Sequence, residues 1–161
     1  MSTIDLSYLK SIADGDDSII IELVNIFLEQ IEEFTECFET HFVNKEWKNI
    51  SGLAHKAKSS VISMGMTELG EVDLKNLELI SKFLLIKELK NKSDLSDKEK
   101  EDIINMEKSF SKYPESKLFW ANENSTEEVV YSIISKFKNI CQLAKTEIKI
   151  FLDNNSSDFK N

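Results

Sequence analysis

Apolar residues recur along this chain at three- and four-residue steps in four long runs, the spacing that keeps one face of an α-helix hydrophobic. Ile20, Leu23, Val24, Phe27, Ile31, Phe34, Phe38 and Phe42 predict an amphipathic helix over about 16–42. Ile50, Leu53, Ala57, Val61 and Met64, with Ala54 and Ser60 at the margins, predict a second over about 44–64. Leu69, Val72, Leu77, Ile80 and Leu84 predict a third over about 67–90. Val130, Ile133, Ile134, Phe137, Ile140, Cys141, Ala144, Ile148 and Phe151 or Leu152 predict a fourth over about 126–152, after which a polar tail from Asp153 is expected to fray.

Turn and cap signals divide these runs. Ile4, Leu6, Leu9 and Ile12 predict a short opening helix that stops at Gly15 and packs over one end of the fold. Asn44 is expected to cap the second long helix, and Gly65 followed by Thr67 supplies a stop and a new start. Residues 91–97 read as a polar linker. Ser96 and Glu99 form a capping-box pattern ahead of a helix carrying Ile103, Met106 and Phe110, which ends before Tyr113 and Pro114. Residues 111–125 read as irregular, with Leu118, Phe119 and Trp120 their apolar cluster, and a second capping box from Ser125 to Glu128 opens the last helix. The expected class is all-α: an antiparallel four-helix bundle with a short N-terminal helix and a helical insertion at 91–125, one domain over 1–161.

Composition narrows the function classes. One proline and four glycines in 161 residues suit long helices, and 41% hydrophobic content suffices for one core. The net charge of −9 argues against nucleic acid. Residues 44–66 depart from that balance with four lysines and one glutamate, a local +3 that leaves −12 elsewhere. The patch is too small for a nucleic-acid footprint but suits an acidic protein pocket or a phosphoryl group. The first residues have neither the basic start nor the apolar run of a signal peptide, and no apolar stretch approaches 18 residues, so a soluble cytoplasmic protein without membrane contact is expected.

Cys37 and Cys141 lack metal-ligand spacing and lie on or beside apolar stripes, which reads as reduced core thiols. Glu29, Glu32, Glu33, Glu36 and Glu39 lie off the centre of their helix's stripe and read as a solvated face. His41, near the end of that helix, reads as a packed or helix-terminal histidine. No Gly-rich phosphate loop, Ser-His-Asp set or His-rich metal motif is present, so neither cofactor nor metal is expected on this chain. If the chain handles phosphate, it carries it and does not take it from ATP.

The candidate chemistry centres on His55. It faces away from the stripe of its helix, and its helical neighbours are Lys48, Ser51, Gly52, Lys58, Ser59 and Ile62, mostly short side chains and two lysines. Another protein's backbone can approach such a face closely. The run Ala54-His55-Lys56-Ala57-Lys58-Ser59-Ser60, followed by Met64-Gly65-Met66, Leu69 and Leu77-Glu78, resembles the histidine-containing phosphotransfer (HPt) family over about residues 5–90 and, more loosely, 126–152. The match lies at Ala54, His55, Lys58, Gly65 and Leu69. The chain departs from the family pattern at Ser59, where glycine is usual, and it carries one residue more between Gly65 and Leu77-Glu78.

The resemblance implies a phosphorelay intermediate that is itself phosphorylated and is not an enzyme. His55 is then the phosphoacceptor, through Nε2, and Lys58 offsets charge on the transferring phosphoryl oxygens. Lys48, Ser51, Gly52, Ser59 and Ile62 would meet the partner. The implied partners are response-regulator receiver domains, that of a hybrid histidine kinase among them, with Mg2+ on the receiver and not on this chain. The polar group that holds the imidazole is either Asn76 or Glu78. The alternative is a helical adaptor, or a degenerate HPt domain, that binds a receiver or other partner through the 48–62 face or the 91–125 insertion without phosphotransfer.

Overall fold

The computed structural model describes residues 2–157, and every regular element among them is helical. In chain order these are α1 (Ser7–Ile12), α2 (Asp17–Val43), α3 (Trp47–Ser63), a π-helical segment (Leu69–Leu74) running into α4 (Lys75–Lys90), α5 (Asp97–Ser109), a 3-10 turn (Phe110–Lys112), α6 (Glu115–Glu123) and α7 (Glu127–Ser157). With 27 residues, α2 is about 40 Å long at 1.5 Å per residue. It packs against α3 and α7; α3 packs against α4, and α4 against α7.

The apolar stripes read from the sequence form one continuous core. Val24, Phe38, Ile50, Val61, Leu77, Ile80, Phe137 and Ile148 are wholly or almost wholly sealed from solvent, and Phe38 meets Phe137 edge-on at 5.2 Å between ring centres. Of the five glutamates read as a solvated face of α2, Glu32 and Glu39 pair with Lys145 and Lys138 on α7 across the outer edge of that core.

The N-terminal segment is pinned before its helix begins. Thr3 and Ile4 donate their backbone N–H groups to the Glu147 carboxylate at 2.6–2.9 Å, and Asp5 N–H reaches Met64 O at 2.9 Å. That strap crosses the turn after α3 so closely that a Cβ on Gly65 would lie 2.5 Å from Asp5 Cβ. Gly65 also has φ +82°, so only glycine serves there. The opening helix starts at Ser7, later than Ile4 and Leu6 suggested, and Ile12 is 55% exposed where the stripe placed it inward.

The π segment sets the phase of α4. A π turn holds one more residue than an α turn and rotates every later side chain accordingly. Leu69 and Leu74, five apart, are both buried, whereas Val72, expected to face inward, is 48% exposed. The segment presses on α3 through Gly70, where a Cβ would lie 2.5 Å from Ile62 Cγ1. Beyond it, residues 77–81 are buried in succession, because α4 is covered by α3, α5, α6 and α7 together.

Several boundaries differ from the sequence reading. Asn44 ends α2 instead of capping α3, which begins at Trp47 after a left-handed Lys45 (φ +54°). The capping box at Ser96 and Glu99 is formed. The second box is not: Thr126 caps α7 by accepting from Val129 N–H, while buried Ser125 donates to Asn122 O and accepts from Lys87. Residues 111–125 are mostly helical; Ala121 is fully buried and Tyr113 and Leu118 pack half-buried against the core, while Phe119 is 69% exposed. The helix α7 continues past Asp153, where fraying was expected, as far as Ser157; residues 158–161 lie outside the described residues.

Candidate functional site

His55 stands mid-way along α3 with its side chain 70% exposed, directed away from buried Ala54, Ala57 and Val61. Its Nδ1 lies 3.0 Å from Glu78 Oε1 on α4. Glu78 is a buried carboxylate, 8% exposed, and its second oxygen accepts from Lys58 Nζ at 2.8 Å, with Lys82 Nζ 3.7 Å from Oε1. Burial pushes the Glu78 carboxyl up, but the Lys58 hydrogen bond and the charges of Lys58, Lys82 and His55 outweigh it and hold the group below the usual carboxylate range. An ionised carboxylate only accepts, so Nδ1 is the ring nitrogen that donates to it, and in the neutral form of the ring the lone pair is left on Nε2. Groups on two helices thus fix both the tautomer and the direction of one exposed imidazole.

Glu78, and not Asn76, is the group that holds the ring. Asn76 Oδ1 instead accepts from Lys117 Nζ at 2.5 Å, and Lys117 lies over the Trp120 ring at 4.2 Å. The π segment upstream of Glu78 sets this choice, since it fixes which residue of α4 faces α3.

The other site residues read from the sequence divide into two groups. Gly52 and Ser59 are on the open face; a Cβ at Gly52 would meet nothing within 4 Å, and the Ser59 hydroxyl turns back to Lys56 O. Ile62 is half-buried against Gly70 at the edge of the site. Ser51 is buried, 8% exposed, and donates to the Glu78 carbonyl at 3.2 Å, which fastens α3 to α4 beneath the floor of the site. Lys48 is also engaged, with Nζ 3.0 Å from Asp102 Oδ2 on α5.

That contact discloses residues the sequence did not signal. A groove of about 440 Å³ runs beside His55 between one face each of α3, α4 and α5; Leu85, Met106, Asn105 and Asp102 line it together with the histidine. Lys82 reaches the Ser109 hydroxyl at 3.5 Å as a second tie to α5. Tyr113 lies within the electrostatic reach of Glu78 and Lys58; burial, then the charge of Glu78, pushes its hydroxyl up.

Away from this site, His41 Nδ1 meets Glu46 Oε1 at 3.2 Å across the turn that follows α2. Cys141 is buried and its thiol is pushed up to about 12 by burial, whereas Cys37 is only half-buried; both are free thiols. Among the described residues no group of three or more His, Cys, Asp or Glu side chains could hold a metal ion, and no helix is long and apolar enough to cross a membrane. No family model, curated protein or solved structure matches the chain.

Proposed function

We propose that the protein is a phosphorelay intermediate in which His55 accepts a phosphoryl group from the aspartyl-phosphate of a receiver domain and passes it to the aspartate of another. The observation that carries this reading is the exposed His55 ring held by a buried, charge-balanced Glu78. A buried carboxylate balanced by two lysines is a costly arrangement for positioning a surface imidazole unless that imidazole has work to do.

In the forward step, the Nε2 lone pair attacks phosphorus in line with the aspartyl oxygen. The N–P bond forms, the P–O bond to aspartate breaks, and the carboxylate leaves with the bonding pair. The ring keeps its Nδ1 proton and becomes positively charged as the bond forms. Glu78, already hydrogen-bonded to that N–H, stabilises the charge. Lys58 is one turn from His55 and can turn towards the phosphoryl oxygens while Lys82 retains Glu78. The metal ion and the acidic pocket are the receiver's, and cytoplasm is the setting in which such partners meet.

The architecture supports the same reading. The contacts of α2 with α3, α3 with α4, α4 with α7 and α7 with α2 close a ring, which we interpret as an antiparallel four-helix bundle in a single HPt-like domain. The residue in excess of the HPt spacing before Leu77-Glu78 is accommodated by the π segment, so Glu78 still meets His55. The test is to mix the protein with receiver domains phosphorylated by acetyl phosphate and follow label. Transfer to this chain as an acid-labile, base-stable phosphoramidate bears the reading out; stable binding of a receiver without any transfer supports the adaptor in its place.

A further inference from the structure

The groove beside His55 has α5 as its far wall, with Asp102, Asn105 and Met106 of that helix in its lining. The two walls differ in character. Along α3 there are three lysines and no acid; along α5 there are five acids and three lysines. Between them lie Leu85 from α4 and Met106 from α5, two apolar side chains with room beside them. The wall is not loosely placed: Asp102 pairs with Lys48 at 3.0 Å, and Lys82, which also touches Glu78, reaches Ser109. Yet α5 has no fully buried residue, so little of its surface is spent on the core.

We propose that α5 is the specificity wall of the phosphoacceptor site, and that the groove takes one apolar side chain of the phosphodonor protein, seated against Leu85 and Met106 beside its aspartyl-phosphate. Charge selects the rest of that partner. The phosphoryl group meets the lysine-bearing helix, while the surface that faces α5 is neutral or basic, since the acids of α5 outnumber its lysines and disfavour an acidic one. The Lys48–Asp102 pair sets the width of the opening. This inference rests on the reading of His55 as a phosphoacceptor.

The experiment compares two donors on the wild type, Asn105→Trp and Met106→Glu. Phosphoramidate is small enough to reach Nε2 without entering the groove and reports on the nucleophile; a panel of purified receiver domains phosphorylated with acetyl phosphate reports on docking. Asn105 is exposed, so tryptophan there fills the groove without disturbing the core. Met106→Glu adds charge at the same place and serves if the first variant melts early. The expected result is a fall of at least about tenfold in the rate from the productive receiver relative to the phosphoramidate rate, expressed in KM more than in kcat. A ratio unchanged in both variants overturns the wall and leaves the phosphoacceptor reading standing. Labelling of wild-type His55 by phosphoramidate but by no receiver overturns the proposed occupant. Labelling by neither donor overturns the phosphoacceptor reading and this inference with it.

Discussion

Glu78 Oε1 lies 3.0 Å from His55 Nδ1, and the same carboxylate binds Lys58 at 2.8 Å. An exposed imidazole on one helix is therefore steered by a buried anion on the next, and the anion is kept ionised by lysines from both. Each partner in that linkage can be altered separately.

Glu78→Gln keeps an oxygen able to accept from Nδ1 but removes the charge. The folded-state pKa of Glu78 is held below its usual 4.5, so the unfolded chain binds the proton more readily. Its contribution to stability is fully present above about pH 4.5 and is lost as pH falls through the lower folded value. Thermal melts from about pH 6 down to about pH 3 should show a segment of acid destabilisation in the wild type that is flattened in the variant. Superimposable profiles would mean that Glu78 is not the linked group.

Lys58→Ala should act on rate more than on fold. Lys82 stays near Glu78, so the anion is not abandoned. Loss of one charge-stabilising contact predicts transfer about 10- to 100-fold slower, or about 1.4–2.7 kcal/mol in the transition state. Stopped-flow or quench kinetics with a productive receiver would measure it, and unchanged kinetics would take Lys58 out of the mechanism.

Two glycines near His55 should respond oppositely to alanine. At Gly70 a Cβ would lie 2.5 Å from Ile62 Cγ1 and 3.1 Å from Lys58 O, so Gly70→Ala must push the π segment off α3, at a cost of about 1–3 kcal/mol. At Gly52 the Cβ meets open space within a helix, so Gly52→Ala should raise stability by about 0.5–1 kcal/mol. Denaturant titration of both variants checks the signs, and destabilisation by Gly52→Ala would place something against that face.

The long helices and the outward His55 were legible because both follow from periodicity: residues three and four apart share a face whatever the rest of the chain does. Lys58 was legible for the same reason. The choice of Glu78 over Asn76 was not, because it depends on a π segment whose extra residue is stabilised by Gly70 fitting under Ile62, a contact between helices. The exposure of Val72 follows from the same segment, whose extra residue changes the helical phase. The groove escaped notice because Lys48 and Asp102 are 54 residues apart and neither marks its partner by sequence. Helix α6 carries Leu118, Phe119 and Trp120 consecutively, without helical spacing, and meets the core through fully buried Ala121 and half-buried Leu118.

Labelling of His55→Gln decides whether this imidazole carries the phosphoryl group. The side chain is 70% exposed and off the core stripe, so the variant should keep its helical signal and melt close to the wild type while accepting no phosphoryl group from receivers or phosphoramidate. Phosphorus–nitrogen NMR coupling in the labelled wild type should place the group on Nε2. Full labelling of the folded variant would refute His55 as the acceptor and move the chemistry elsewhere, His41 being the other histidine in the chain.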